Sequence, residues 1–200
     1  GICVDNALKI RDNRCVEMVH AMKEIQIRKN DAGQRLDRFV GKAVPLLPES
    51  LLQKYIRLKR IKRNGKGAKR DVRLVEGDVL QLYINDEFFE RPTEENAWLK
   101  IATPRLDIVY EDENILLADK KPGVLCHSAG EWSWDTLISN IQAYLRQSGE
   151  WDPKAENAFT PALCNRIDRN TGGIVIAAKN AEALRILNDK IPDRDIDKAY

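Results

Sequence analysis

Metal and disulfide chemistry find little to work with in this sequence. Its four cysteines, Cys3, Cys15, Cys126 and Cys164, form no Cys-x-x-Cys pair, and only His20 and His127 accompany them. That spacing excludes the common structural zinc arrangements and a cysteine framework, so the thiols are read as reduced and no metal is expected. Long apolar runs are missing as well. The longest covers residues 174–178, against about 20 residues for a membrane-spanning helix. Nothing near the start has the basic, apolar and small-residue layout of a secretion signal. These absences point to a cytoplasmic protein with no membrane partner.

What is present is charge, and it is unevenly placed. The formal net charge is only +2, yet residues 22–85 hold 16 Lys and Arg against 7 Asp and Glu, and residues 86–200 hold 14 against 21. Such a division suggests a cationic module for a polyanion, joined to a module with another task.

Residues 1–21 show no clear period and are read as a leader outside any domain. From Met22 the residues alternate as a short strand would. Asp31 and Gln34 stand at capping-box spacing ahead of Leu36, Phe39, Val40 and Ala43, which share one helical face. Pro45 and Pro48 end that helix. Ser50 and Gln53 are expected to open a second, with Leu51, Leu52, Tyr55 and Ile56 for burial. Asn64-Gly65 then signals a hairpin, and Glu76-Gly77-Asp78 turns the chain into a strand over residues 79–84.

Residues 86–104 are polar, contain Pro92 and Pro104, and read as a linker. A second unit follows over residues 105–200. Strands are expected at residues 108–110 and 115–117, with a turn at Lys120-Lys121-Pro122-Gly123. Residues 136–145 have helical spacing through Leu137, Ile141 and Leu145. Residues 174–178 read as a buried strand, and Asn180 caps a helix whose Ala183, Leu184, Leu187 and Ile191 face inward. The chain closes within what reads as another strand, so the catalytic unit is expected to be incomplete. The fold class is α+β.

Basic residues gather on the first unit. Arg35, Arg38 and Lys42 line one side of the first helix, and residues 57–73 carry nine Lys and Arg against the single acid Asp71. Concentrated cations displace counterions from nucleic acid, which makes RNA the expected partner and binding salt-dependent. A merely solvated basic face is the plainer alternative. Together with Gly33-Gln34-Arg35-Leu36-Asp37, Ile61-Lys62-Arg63-Asn64-Gly65-Lys66 and Glu76-Gly77-Asp78, the segment resembles an S4 RNA-binding domain. The resemblance implies RNA contacts from Arg35, Arg38, Lys54, Arg57, Arg60, Lys62, Arg63 and Lys66.

In the second unit the segment Asn165-Arg166-Ile167-Asp168-Arg169-Asn170-Thr171-Gly172-Gly173 stands out. Asp168 lies between two arginines, whose charge would favour the ionised carboxylate of a nucleophile. Gly172 and Gly173 permit close approach of a ligand to the backbone. A structural salt bridge at a turn is the alternative reading. The segment resembles the HRLDxxTSG motif of the RluA family of pseudouridine synthases, and four further stretches agree in order. They are Ile108-Val109-Tyr110-Glu111-Asp112-Glu113, Lys120-Lys121-Pro122-Gly123, Ala178-Lys179 and Arg194-Asp195-Ile196-Asp197-Lys198-Ala199-Tyr200.

That resemblance implies a mainly antiparallel sheet domain and isomerisation of uridine to pseudouridine after base flipping, with large-subunit ribosomal RNA as substrate. By position Asp168 matches the essential aspartate, Arg166 the arginine that fills the space of the flipped base, and Tyr200 the active-site tyrosine. Asn165, Arg169 and Thr171 are assigned to substrate binding. No cofactor is implied, and a monomer is expected. Three positions depart from the motif: Asn165 for His, Ile167 for Leu and Gly172 for Ser. The competing functional reading is an inactive RNA-binding or ribosome-assembly protein. Cys126, His127, Trp132 and Trp134 are left to packing and loop anchoring.

Overall fold

The computed structural model describes residues 22–130, 132–156 and 159–191. The leader, Tyr200 and the expected terminal strand therefore lie outside the described residues. The rest is a mixed α and β structure with two four-stranded antiparallel sheets.

The first sheet contains β1 (Lys23–Gln26), β2 (Ile61–Arg63), β3 (Lys66–Gly67) and β4 (Val79–Leu82), ordered β1-β4-β2-β3. Asn64 and Gly65 take φ of 50° and 78° between β2 and β3, the left-handed pair that a two-residue hairpin turn requires. Helices α1 (Leu36–Ala43) and α2 (Glu49–Arg57) pack their apolar stripes on this sheet. Leu36, Val40, Leu52, Ile56, Leu80 and Leu82 are buried in one core.

Two local expectations give way. The capping box does not form, because Asp31 closes its own turn by accepting the Arg28 N–H, and Gln34 donates to the Asp31 carbonyl. The first helical N–H groups are instead taken by a distant segment: Leu36 donates to the Val72 carbonyl and Asp37 to that of Arg70. Ala43 is exposed, and Val44 takes the inward position. Likewise α2 starts at Glu49, one residue before Ser50, with Gln53 donating to the Glu49 carboxylate.

The second sheet runs β5-β6-β8-β7, from β5 (Ile108–Glu111), β6 (Ile115–Lys120), β7 (Ala162–Leu163) and β8 (Gly173–Ala178). On β6, Leu116, Ala118 and Lys120 point inward while Ile115, Leu117 and Asp119 stay half-buried. Helix α3 (Leu137–Ser148) supplies Leu137, Ile141 and Leu145 to the same core as Leu116, Val175 and Ala177. It is capped by Thr136, whose hydroxyl accepts the Ser139 N–H, and closed by left-handed Gly149, the arrangement these residue types favour. Asn180 caps α4 (Ala181–Lys190) in the same way. Within residues 174–178, Val175, Ala177 and Ala178 are buried, whereas Ile174 is 44% exposed.

Residues 86–104, expected as a linker, carry two short 3-10 turns, Asp86–Phe89 and Ala97–Lys100, and bury Phe88, Ala97, Leu99 and Ile101. Trp98 packs against both cores and meets Trp151 edge-on at 5.4 Å. The Lys100 ammonium donates to the Leu47 carbonyl, and Gln147 donates to the carbonyls of Ile101 and Ala102. Apolar side chains scattered among acids gave this segment no period to read, yet they fasten the two sheets together.

Asp78 shows how the first unit is held. Its side chain is only 6% exposed and accepts from Arg63, Asn64 and the Val75 N–H at 2.7, 2.9 and 2.8 Å. Burial opposes its charge, but the Val75, Arg63 and Asn64 hydrogen bonds outweigh it and hold the carboxyl below its ordinary range. A depressed folded-state pKa contributes stability above the unfolded value and loses it as pH falls through the folded one. Acid titration should therefore show this contribution lost as pH falls from the ordinary carboxylate value through the lower folded one. Asp78→Ala should lower stability by about 3 kcal/mol in chemical denaturation, at the low end for a broken buried pair because Arg63 can turn to water.

Candidate active site and nucleic-acid interface

The segment between β7 and β8 is fastened at several points. β7 is two residues long, but the ladder continues: the Cys164 N–H donates to the Ile176 carbonyl at 2.7 Å. The Asn165 side chain then imitates a strand, accepting the Ile176 N–H at 2.7 Å and donating to the Ile174 carbonyl at 3.2 Å. Farther along, the Cys126 thiol reaches the Ile167 carbonyl at 3.5 Å.

Lys120 anchors the other end. It sits in the inward phase of β6 and is 1% exposed. Its ammonium donates to the carbonyls of Val124 at 2.8 Å, Arg169 at 3.1 Å and Lys121 at 3.2 Å. Three acceptors match its three donors, which is what a buried ammonium requires. Gly123 and Arg169 are joined reciprocally, the Gly123 N–H donating to the Arg169 carbonyl at 2.7 Å and Arg169 Nε donating to the Gly123 carbonyl at 3.3 Å. A Cβ at Gly172 would stand 3.2 Å from Pro122 Cδ and 3.4 Å from the Lys120 carbonyl oxygen. The 120–123 turn thus approaches Gly172 closely.

Above this base Arg166, Asp168, Arg169 and Thr171 are exposed. The Asp168 carbonyl accepts the Thr171 N–H at 3.1 Å, closing a turn. Among the described residues the Asp168 carboxylate has no hydrogen-bond or ion-pair partner, so the salt bridge of the alternative reading is not made there. Asn165 and Arg169 are thus tied into the loop framework, and the side chains of Asp168, Arg166 and Thr171 have no partner among the described residues. Lys120 was missed by motif reading. Its signal was available, since a lysine in step with Leu116 and Ala118 falls on the buried side of an alternating strand.

The neighbouring loop is closed by Ser128, whose hydroxyl donates to the Ser133 carbonyl and accepts the Ser133 N–H. Trp132 in this loop is 38% exposed. His127 Nδ1 lies 2.9 Å from Glu94, which also accepts the Ser128 N–H. Among the described residues no cluster of His, Cys, Asp and Glu is arranged to hold a metal.

On the first unit the expected RNA-binding residues divide by partner. Arg35 is paired with Asp37 and Arg63 with Asp78, both at 2.7 Å. Arg60 lies over the Tyr55 ring at 4.5 Å and Lys62 over Tyr83 at 5.1 Å. Arg38, Lys54, Arg57 and Lys66 are exposed and have no acidic partner among the described residues. One shallow groove of about 550 Å³ is lined by Arg57, Lys69 and Arg70. A second, of about 670 Å³, is lined by Arg63, Lys66 and Lys69. Lys69 and Arg70 belong to the basic run, although nothing in the sequence pattern distinguishes them within it.

Replacing Lys120 by Met keeps the stem and removes the ammonium, leaving the Val124 carbonyl unpaired and those of Lys121 and Arg169 with one backbone donor each. The expected cost is about 3 kcal/mol, as for unsatisfied buried acceptors, together with faster amide hydrogen exchange at Gly123 and Thr171. Unchanged exchange there would separate Lys120 from the loop's order.

Comparison with known proteins places this geometry. Residues 114–200 match the family model described as RNA pseudouridylate synthase. The chain is 33% identical over 181 residues to an uncharacterized RNA pseudouridine synthase of Mycoplasma capricolum, covering 90% of this chain and 58% of that protein. A similar protein of Mycoplasma genitalium is 31% identical over 176 residues, covering 87% and 53%. Ribosomal large subunit pseudouridine synthase C of Escherichia coli is 26% identical over 181 residues, covering 90% and 53%. The chain therefore spans a little over half the length of these curated relatives. A solved pseudouridylate synthase structure aligns with 72% of this chain and 48% of its own, at 19% identity and a TM-score of 0.23, too low to carry an argument. Residues 114–200 are thus similar to the RNA pseudouridylate synthase family model, and most of the chain is similar to RNA pseudouridine synthases.

Proposed function

We propose that this chain forms the RNA-binding and nucleophile-bearing part of an RNA pseudouridine synthase, an isomerase acting on structured RNA, with large-subunit ribosomal RNA as its substrate class. The observation that carries the reading is an exposed Asp168 carboxylate, without a partner among the described residues, on a firmly held loop inside the family-matched region. The named relatives motivate the choice of RNA. We read residues 22–85 as an S4 RNA-binding domain, supported by two helices, a following hairpin and their unpaired surface cations. The protein is proposed to act as a cytoplasmic monomer.

In the proposed reaction a uridine is drawn from its stack, at least cost where the RNA is irregular. Arg166 enters the vacated space. Asp168 attacks the uracil ring or the ribose anomeric carbon, and the N1–C1′ bond breaks. The base turns, its C5 bonds to C1′, and the bond to Asp168 breaks, returning its electron pair to the carboxylate. The C5 proton leaves, with Tyr200 stacked on the base and assisting, and N1 takes a proton, so the product is an isomer and no cofactor is consumed. Asn165 contributes by position, since its amide is already bonded to β8. Arg169 and Thr171 contact substrate beside it.

Two expectations test the reading in the complete natural protein. Asp168→Ala should lower tritium release from C5-tritiated ribosomal RNA transcripts by at least about a thousandfold, as loss of a nucleophile does, with affinity nearly unchanged. Preserved turnover would exclude Asp168. Silence from the unaltered protein, with tight salt-sensitive binding, would favour an RNA-binding or assembly role. Separately, changing Arg57, Lys69 and Arg70 together to Gln should flatten the dependence of log affinity on log salt by about 0.7–0.9 for each phosphate no longer neutralised. Arg63→Glu should instead lower thermal stability, because it sets a carboxylate against buried Asp78.

A further inference from the structure

The basic surface of the first unit continues past α2. Arg57 lines the groove it shares with Lys69 and Arg70, and also a cavity of about 710 Å³ between α2 and α3. This cleft is walled by Lys54 and Arg57 from α2 and by Arg146 from the last turn of α3, over a floor that includes Phe88 and Trp98. Glu87 is the one carboxylate lining it, and lies 4.0 Å from Lys154. Among the described residues none of the three cations has an acidic partner.

Arg146 is not needed to close its own helix. Left-handed Gly149 already donates to the carbonyls of Arg146 and Leu145. Nor are the walls free to drift, because Lys100 is bonded to the Leu47 carbonyl and Gln147 to those of Ile101 and Ala102. Three unpaired cations are thus held around a partly apolar floor, continuous through Arg57 with the basic grooves. Phosphates suit the rim, and bases or sugars suit the aromatic floor.

We infer that this cleft binds RNA, with Arg146 a phosphate contact supplied from outside the first unit. A single strand then runs from the β2–β3 hairpin, over α2 and onto α3. This rests on the RNA reading proposed above and extends it by naming a surface that joins the two units.

The test is equilibrium binding of a large-subunit ribosomal RNA transcript to the complete protein at several salt concentrations, with pseudouridine formation followed in the same samples. Arg146→Gln should weaken binding and reduce the salt slope by about 0.7–0.9, with an unchanged melting temperature. Arg146→Lys should restore the slope, and Lys54→Gln should reproduce the loss. A slope unchanged in both Gln variants overturns the cleft, even if pseudouridine is formed. Capture of an acidic peptide by the cleft, with RNA affinity intact in both, overturns it in favour of a protein partner. A reduced slope without pseudouridine formation by the unaltered protein leaves the cleft standing and removes the isomerase reading.

Discussion

The ammonium of Lys120 sits where β6 ends, where the 121–124 turn folds back, and where the segment carrying Asp168 passes. Removing an ammonium from water is costly, and only a full set of acceptors offsets it. Here the acceptors are carbonyls from two separated stretches of chain, so the charge can be buried only if those stretches meet. Asn165 on β8 and Gly172 against Pro122 add two further constraints on the same segment. Its backbone is fixed from several directions while the Asp168 side chain takes no part in the fixing. A proposed nucleophile gains from this division, because its position is set without engaging its lone pairs.

The first unit makes a comparable division among its cations. Arg63 and Arg35 neutralise buried or half-buried aspartates, and Arg60 and Lys62 lie over tyrosine rings. Others in the same run, Arg57 and Lys66 among them, are left in water. Counting charge along the sequence treats all of these alike. Removing a cation of the first kind disturbs the fold, whereas removing one of the second changes the field offered to a polyanion.

What was legible in the sequence was local. Asn64-Gly65 specifies its hairpin by backbone conformation, and Thr136 and Asn180 cap the helices they precede. What could not be read depends on partners far along the chain. The first turn of α1 is satisfied by residues 70 and 72 rather than by a capping box. β7 is too short to show a pattern and exists through its pairing with β8. The alternative reading of a structural Asp168–arginine salt bridge is not met among the described residues, where Arg169 is directed to the Gly123 carbonyl. Residues 86–104 look polar in composition, although their few large side chains are the ones buried between the sheets.

The central claim concerns a change of bond, and the most direct test is to identify that bond in the product. Ribosomal RNA transcripts would be incubated with the complete protein, digested to nucleosides and separated by chromatography with mass detection. The expected product is a nucleoside of uridine's mass that elutes apart from uridine and whose carbon-linked base survives glycosidic cleavage. Recovery of uridine alone, from RNA shown to be bound, would contradict it.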